Sequence, residues 1–246
     1  MPGLWHVSKL TSSDTSLAER CFHQAIELDP TFSAAYAGLA IAQSAWVDLQ
    51  ARDLAEVMGS NETLVRQAIA LDAADAEALS ILSNALWVHA DYESALAEAQ
   101  RALEMSPNFA YAHHMLGATL IFSGRPKEGI AALERSIRLD PRHPRSAVRL
   151  NHMALGLYFA REYTAAVDVA KRAIRLYPEF PNPYRWLAAA LGQLGRIDEA
   201  NEALGRAIAI MPASFETNVR NRVPWMRPED HAHMLDGLRK AGMPEE

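Results

Sequence analysis

The sequence predicts an all-α chain, a solenoid of stacked antiparallel helical hairpins, and three observations carry that reading. One phrase recurs six times: HQAIELDP, RQAIALDA, QRALEMSP, ERSIRLDP, KRAIRLYP and GRAIAIMP end at positions 30, 73, 107, 141, 178 and 212. The spacing is regular, with 34 residues from Ala73 to Pro107, from Pro107 to Pro141 and from Pro178 to Pro212. Within each period the apolar residues fall at helical spacing in two blocks, split by the polar turns HADYES, SGRPKEG, AREYTA and LGRIDEA. A fixed period of this length marks a repeat architecture. One hairpin alone leaves apolar faces uncovered, so the units must stack.

Taken in order, the chain begins with a partial unit at 17–30, a second helix lacking a convincing first. Residues 4–10 are too short for that partner, so its apolar face is either left open or covered by Trp5 and Leu10 as a makeshift cap. Full hairpins follow at 33–74, 76–109, 110–143, 147–180 and 181–214. The register breaks twice. Nine extra residues fall around WVDLQARDLAEVMGSNE, read as a longer first helix and a loop ending near Gly59 and Ser60. Three more fall in DPRHPRSA, whose two prolines favour a loop.

Small residues at Ala95, Gly129, Ala166 and Ala200, and again at Ala102, Ser136, Ala173 and Ala207, let neighbouring helices approach closely. A larger side chain there costs about 1–3 kcal/mol in overpacking. A closing proline stops the second helix in every unit but the one ending at Ala73, because proline lacks the N–H that the ladder needs. Beyond Pro212, SFETNVRNRV reads as one further helix stopped by Pro224. A last helix follows in RPEDHAHMLDGLRKAGMPE, with Pro228 and acidic residues at its start and Lys240 and Gly242 at its end. Residues 215–242 are thus expected to cap one continuous solenoid, with Met234, Leu235 and Leu238 docked on the last hairpin.

The hairpin pattern resembles the tetratricopeptide repeat family over most of the chain. Leu116, Gly117 and Leu120 match its first helix, and Leu133 and Pro141 its second; Tyr184, Leu187, Leu191, Ala200, Leu204, Ala207 and Pro212 do so in the last unit. The resemblance implies a right-handed superhelix whose first helices line a concave groove. It also implies a non-catalytic scaffold that binds a protein or peptide. The GLRKAG ending after an acidic helix start is similar to the C-terminal repeat region of bacterial proteins that carry a cyclase or winged-helix domain. That second likeness implies a regulatory module. No stretch of this sequence has the length or the metal-binding carboxylates of a cyclase domain, so no cyclase activity is expected.

Composition narrows the partners. The 246 residues carry 24 basic against 30 acidic side chains, a formal charge of -6, and nothing in that balance steers towards nucleic acid. The apolar stretches are shorter than a membrane span, and the N-terminus lacks a secretory pattern, so a cytoplasmic protein without membrane insertion is expected. A single cysteine, Cys21, allows no internal disulfide and reads as a small packing residue. HExxH, phosphate-loop, dinucleotide and nucleophile-elbow patterns are absent, so neither enzyme activity nor a cofactor is expected.

By the resemblance, groove contacts come from the second, fifth, ninth and twelfth positions of each first helix. These give candidate binding residues Glu77, Asn84, Trp87, Tyr111, His114, Asn151, Tyr158, Asn182 and Arg185, with Ala189 and Gly192 on the same face. Amides, a guanidinium and rigid aromatic rings suit an extended peptide or a short helix. Trp87 and Tyr158 read equally well as packing residues. Asn84 alone fits the family's carboxylate clamp, which argues against a chaperone-tail receptor.

The adjacent pair His113 and His114 is separated by about 100° on a helix, so the rings do not share a ligand. His113 is expected in the hairpin packing and His114 in the groove; a metal role would need His152 or a carboxylate to converge. His231 and His233 read as solvated surface residues. The basic stretch 138–149 reads as a solvated loop or as a contact for a phosphate or an acidic partner. Self-association through the incomplete first unit is the alternative to partner binding.

Overall fold

The computed structural model describes residues 3, 6, 12–48, 54–142, 146–210, 212–215 and 219–243, and among them every regular element is a helix. The first is α1 (Ser12–Leu28). Hairpins follow as α2 (Ser33–Asp48) with α3 (Leu54–Leu71) and α4 (Ala76–Val88) with α5 (Tyr92–Met105). Next come α6 (Ala110–Phe122) with α7 (Pro126–Leu139), α8 (Ser146–Phe159) with α9 (Tyr163–Leu176), and α10 (Pro181–Gln193) with α11 (Ile197–Ile210). A four-residue helix α12 (Pro212–Phe215) and the terminal α13 (Pro228–Lys240) complete the chain. The helices form an all-α repeat solenoid. Trp5 and Leu10 lie outside the described residues.

One hydrogen-bonding device shapes the turns. In four hairpins the first helix ends on a residue in the left-handed region: Ala90 (φ 62°), Gly124 (φ 89°), Arg161 (φ 64°) and Gly195 (φ 72°). The next N–H then reaches back to a carbonyl five residues earlier, Asp91 to Leu86 (3.1 Å), Arg125 to Leu120 (2.8 Å), Glu162 to Leu157 (2.9 Å) and Arg196 to Leu191 (3.0 Å). This six-to-one closure satisfies carbonyls that the helix end leaves without partners. Glycine suits the position because it lacks a Cβ; Ala90 and Arg161 hold it at a cost.

The chain forms two compact units, Met1–Thr119 with Arg138–Pro144, and Leu120–Ile137 with Arg145–Glu246. In the first unit Phe22, Ala18, Leu39 and Ala42 form one apolar centre, flanked by Ile26, Ile41 and Leu64. The Phe22 ring lies against the bare backbone of Gly38, where an added methyl would collide with it. A second centre joins Leu79, Ala102 and Ala112. The small positions read from the sequence pack as expected, with Ala95 and Ala102 fully buried.

Gly59 and Ser60 do not end a loop; both lie inside α3, which starts at Leu54. An added Cβ at Gly59 meets open space, so the residue costs the helix only about 1 kcal/mol of propensity. Polar bonds hold this turn to α2, from Ser60 Oγ to Gln43 (3.0 Å) and from the Asn61 amide to Ser44 (2.8 Å).

In the second unit α8, α9, α10 and α11 pack in succession, and α13 returns to lie on α10. Ala166, Ala173, Ala200 and Ala207 are buried between them. Of the helix expected to run to Pro224, the structure describes α12 and a π-helical turn at Val219 and Arg220, with non-helical backbone from Asn221; residues 216–218 lie outside the described residues. Arg222 donates to Met226 O (2.7 Å), and His231 Nε2 lies 2.8 Å from Val219 O.

Candidate functional site

In the first unit the candidate residues sit on α4 and α6. Asp75 opens α4, accepting the N–H groups of Glu77 (2.9 Å) and Ala78 (3.1 Å), while Ser33 donates to its other oxygen (3.1 Å). That cap fixes the first turn and with it Glu77. The Glu77 carboxyl is half-buried, and desolvation, then the charge of Asp75, raises its pKa. Two turns on, Asn84 is half-buried, while Trp87 is buried.

On α6, Tyr111 is half-buried and its ring meets His114 edge-on at 6.0 Å. The histidine pair diverges as the helical register requires. His113 Nε2 lies 3.0 Å from Pro107 O, whereas His114 is only 4% exposed, beneath Tyr111 one turn earlier. No group of three or more metal-ligating side chains converges among the described residues.

In the second unit Asn151 and Tyr158 are buried on α8, and Asn182 and Arg185 are half-buried on α10. The Arg185 guanidinium stands 4.9 Å from the centre of the Trp186 ring. Desolvation lowers its pKa to about 10, so it stays charged at neutral pH. His152 meets Phe122 edge-on at 6.0 Å, and burial pushes its pKa down to about 4.

The face carrying Tyr158, Ala189 and Gly192 is not open to solvent. Helix α13 lies on it. The Tyr158 hydroxyl donates to His233 O (2.6 Å), and its ring stacks on the His233 imidazole at 4.5 Å. The Tyr163 hydroxyl is 2.9 Å from His233 Nε2, and Gln193 donates to Asp236 (2.8 Å). Met234 and Leu238 are fully buried. The backbones come close at two glycines: a Cβ on Gly192 would strike Gly237 O, and one on Gly237 would stand 2.7 Å from Ala189 O.

Comparison with known proteins gives the repeats a family. Residues 110–143 match one tetratricopeptide repeat model and residues 152–214 another. The two matched segments are tetratricopeptide repeats. Mouse (Mus musculus) DnaJ homolog subfamily C member 7 is 30% identical over 112 residues, 44% of this chain. The match spans 23% of that protein, about a quarter of its length.

Among solved structures, a chain of an APC/C hetero-tetramer superposes with TM-score 0.70 at 14% identity, over 92% of this chain and 40% of that one. PilW, described as a type IV pilus biogenesis factor, gives TM-score 0.61 at 16% identity, over 85% and 89%. The pilF protein of Pseudomonas aeruginosa gives 0.58 at 21%, over 87% and 90%. Identities this low establish the fold alone.

Helix α13 is thus held by Tyr158 of α8 and by Ala189 and Gly192 of α10. His231 and His233 are therefore not solvated surface residues: His231 is buried against Val219 O, and His233 is half-buried on Tyr158. Their burial comes from contacts far away in sequence, which local helix spacing does not encode. Glycine inside a helix costs about 0.5–1 kcal/mol, yet Gly237 in α13 meets Ala189 O whereas Gly59 in α3 faces open space, so residue type alone does not announce the contact.

No helix among the described residues is long and apolar enough to cross a membrane.

Proposed function

We propose that this chain is a non-catalytic scaffold that takes a protein segment, an extended peptide or a short helix, on the faces of its first helices. One observation supports this most: in the second unit, the positions assigned to ligand contact by the family resemblance already hold an amphipathic helix, the chain's own α13. In the first unit the corresponding face offers Glu77, Asn84 and Tyr111, each partly exposed, and these are the residues available to an external partner. The raised Glu77 carboxyl favours a partner that brings a cation or an N–H donor to it.

The test is capture from native extract by the intact chain and by a Glu77→Lys/Asn84→Ala variant. The variant should lose the partners that the unmodified chain retains, with circular dichroism unchanged. Equal capture by both would remove these residues from the binding face.

Regulatory use, as an appendage of a cyclase or winged-helix regulator, draws its support from the GLRKAG ending. Self-association is a second reading, favoured by Leu17 and Leu28 on α1, the latter 80% exposed. A concentration-independent monomer mass by light scattering would eliminate it.

A further inference from the structure

Helix α13 carries its own start and stop signals. Pro228 opens it, Arg227 bridges to Asp230 (2.8 Å), and Glu229 and Asp230 sit at the positive end of the helix dipole. Arg239 and Lys240 sit at the negative end, and Gly242 (φ 90°) closes it as Met243 N–H bonds Leu238 O (3.0 Å). Helix signals are thus internal to the segment.

The contact it makes resembles an interface between molecules more than a core. Met234 and Leu238 form an apolar centre. Around it runs a polar rim in which Tyr158 bonds His233, Gln193 bonds Asp236, and Lys240 donates to Gln193 Oε1 (2.9 Å). Every one of these rim bonds pairs a group on α13 with a group that another amphipathic helix could equally satisfy. Gly237 is sterically demanding, since a side chain there meets Tyr158 and the Ala189 carbonyl, as is Gly192 opposite it on α10.

We infer that α13 is a cis-acting ligand of the α8–α10 face. It occupies that face reversibly, and an amphipathic helix from a partner, with glycine beside its apolar contact residues, displaces it. This rests on the reading of the first-helix faces as binding surfaces, and names their ligand class and their control. Partner affinity is then set by competition with a segment that never leaves the molecule. The effective concentration of that segment is fixed by the chain linking it to α11.

The experiment uses the full chain and a fluorescent synthetic peptide of residues 226–243 as the probe. Gly237→Leu in the chain forces α13 off its seat. The peptide should bind this variant at least tenfold more tightly than the unmodified chain, and a peptide bearing the same Gly237→Leu change should bind neither. Equal, measurable binding to both chains would refute occupancy in cis while leaving the face a helix-binding surface. No binding to a folded Gly237→Leu chain would overturn the binding-surface reading as well. Should that variant fail to fold, hydrogen exchange of the unmodified chain decides. The α13 amides should exchange through an opening that leaves α9 and α10 protected. Exchange of α13 only together with α10 would overturn the inference.

Discussion

Exchanging the residues at two left-handed turns should move stability in opposite directions. Ala90 (φ 62°) and Gly195 (φ 72°) occupy the same place in their hairpins, each followed by the six-to-one bond described above. For an L-residue the left-handed conformation costs about 1–2 kcal/mol. Alanine recovers about 0.4–1 kcal/mol of that through its smaller freedom in the unfolded chain. The difference leaves Ala90→Gly stabilising, and Gly195→Ala destabilising, by about 0.5–1 kcal/mol each. Packing does not blur the comparison: a Cβ at Gly195 has no neighbour within 4 Å, and Ala90 is exposed. Each change alters the unfolding equilibrium by about two- to fivefold. Equilibrium urea unfolding of the full chain, followed by circular dichroism, measures it. Shifts of the same sign, or destabilisation by Ala90→Gly, would refute the claim that backbone strain dominates at this position.

Two further outcomes follow from named contacts. Asp75→Ala should cost about 1 kcal/mol by removing the N-cap of α4, and should bring the Glu77 titration down by removing its neighbouring charge; thermal unfolding and carboxyl titration by NMR check both. His152, held near pKa 4, takes up its proton more readily in the unfolded chain. Its contribution to stability is complete above about pH 6.5 and falls as pH drops towards 4, by roughly 3 kcal/mol in all. His152→Phe should flatten that segment of the pH–stability curve, and an unchanged slope would refute the assignment.

The hairpins were legible because their determinants are local and repeated. Helical spacing and small residues such as Ala102 and Ala173 recur along the units, a proline closes all but the one ending at Ala73, and each acts on its own helix or the next. What escaped the sequence depends on long-range contacts. Gly59 lies in a helix because Ser60 and Asn61 are bonded to α2 across 17 residues of chain. His233 is stacked because Tyr158, 75 residues earlier, donates to its carbonyl. Arg149, only 2% exposed, stands at the hairpin position filled elsewhere by Ala35, Ala78 and Ala112, and its burial defies the periodic pattern. The candidate face was legible as a set of positions. Which of those positions α13 covers was not, because docking depends on two glycines that lack any side chain.

The four turns also decide where this chain can change length. Between Val88 and Tyr92, Phe122 and Pro126, Phe159 and Tyr163, and Gln193 and Ile197, the turn always has the same size, because one left-handed residue must meet one carbonyl. The three residues that break the 34-residue period fall instead between Leu139 and Tyr163, where the link to α8 lengthens and α8 gains a residue over α6. An insertion at one of these four turns would move its left-handed residue out of reach of the bond. Tolerance to chain-length variation is set turn by turn: strict where a left-handed residue closes the six-to-one bond, and permissive in the α2–α3 hairpin, which holds the nine extra residues, and at the joint before α8.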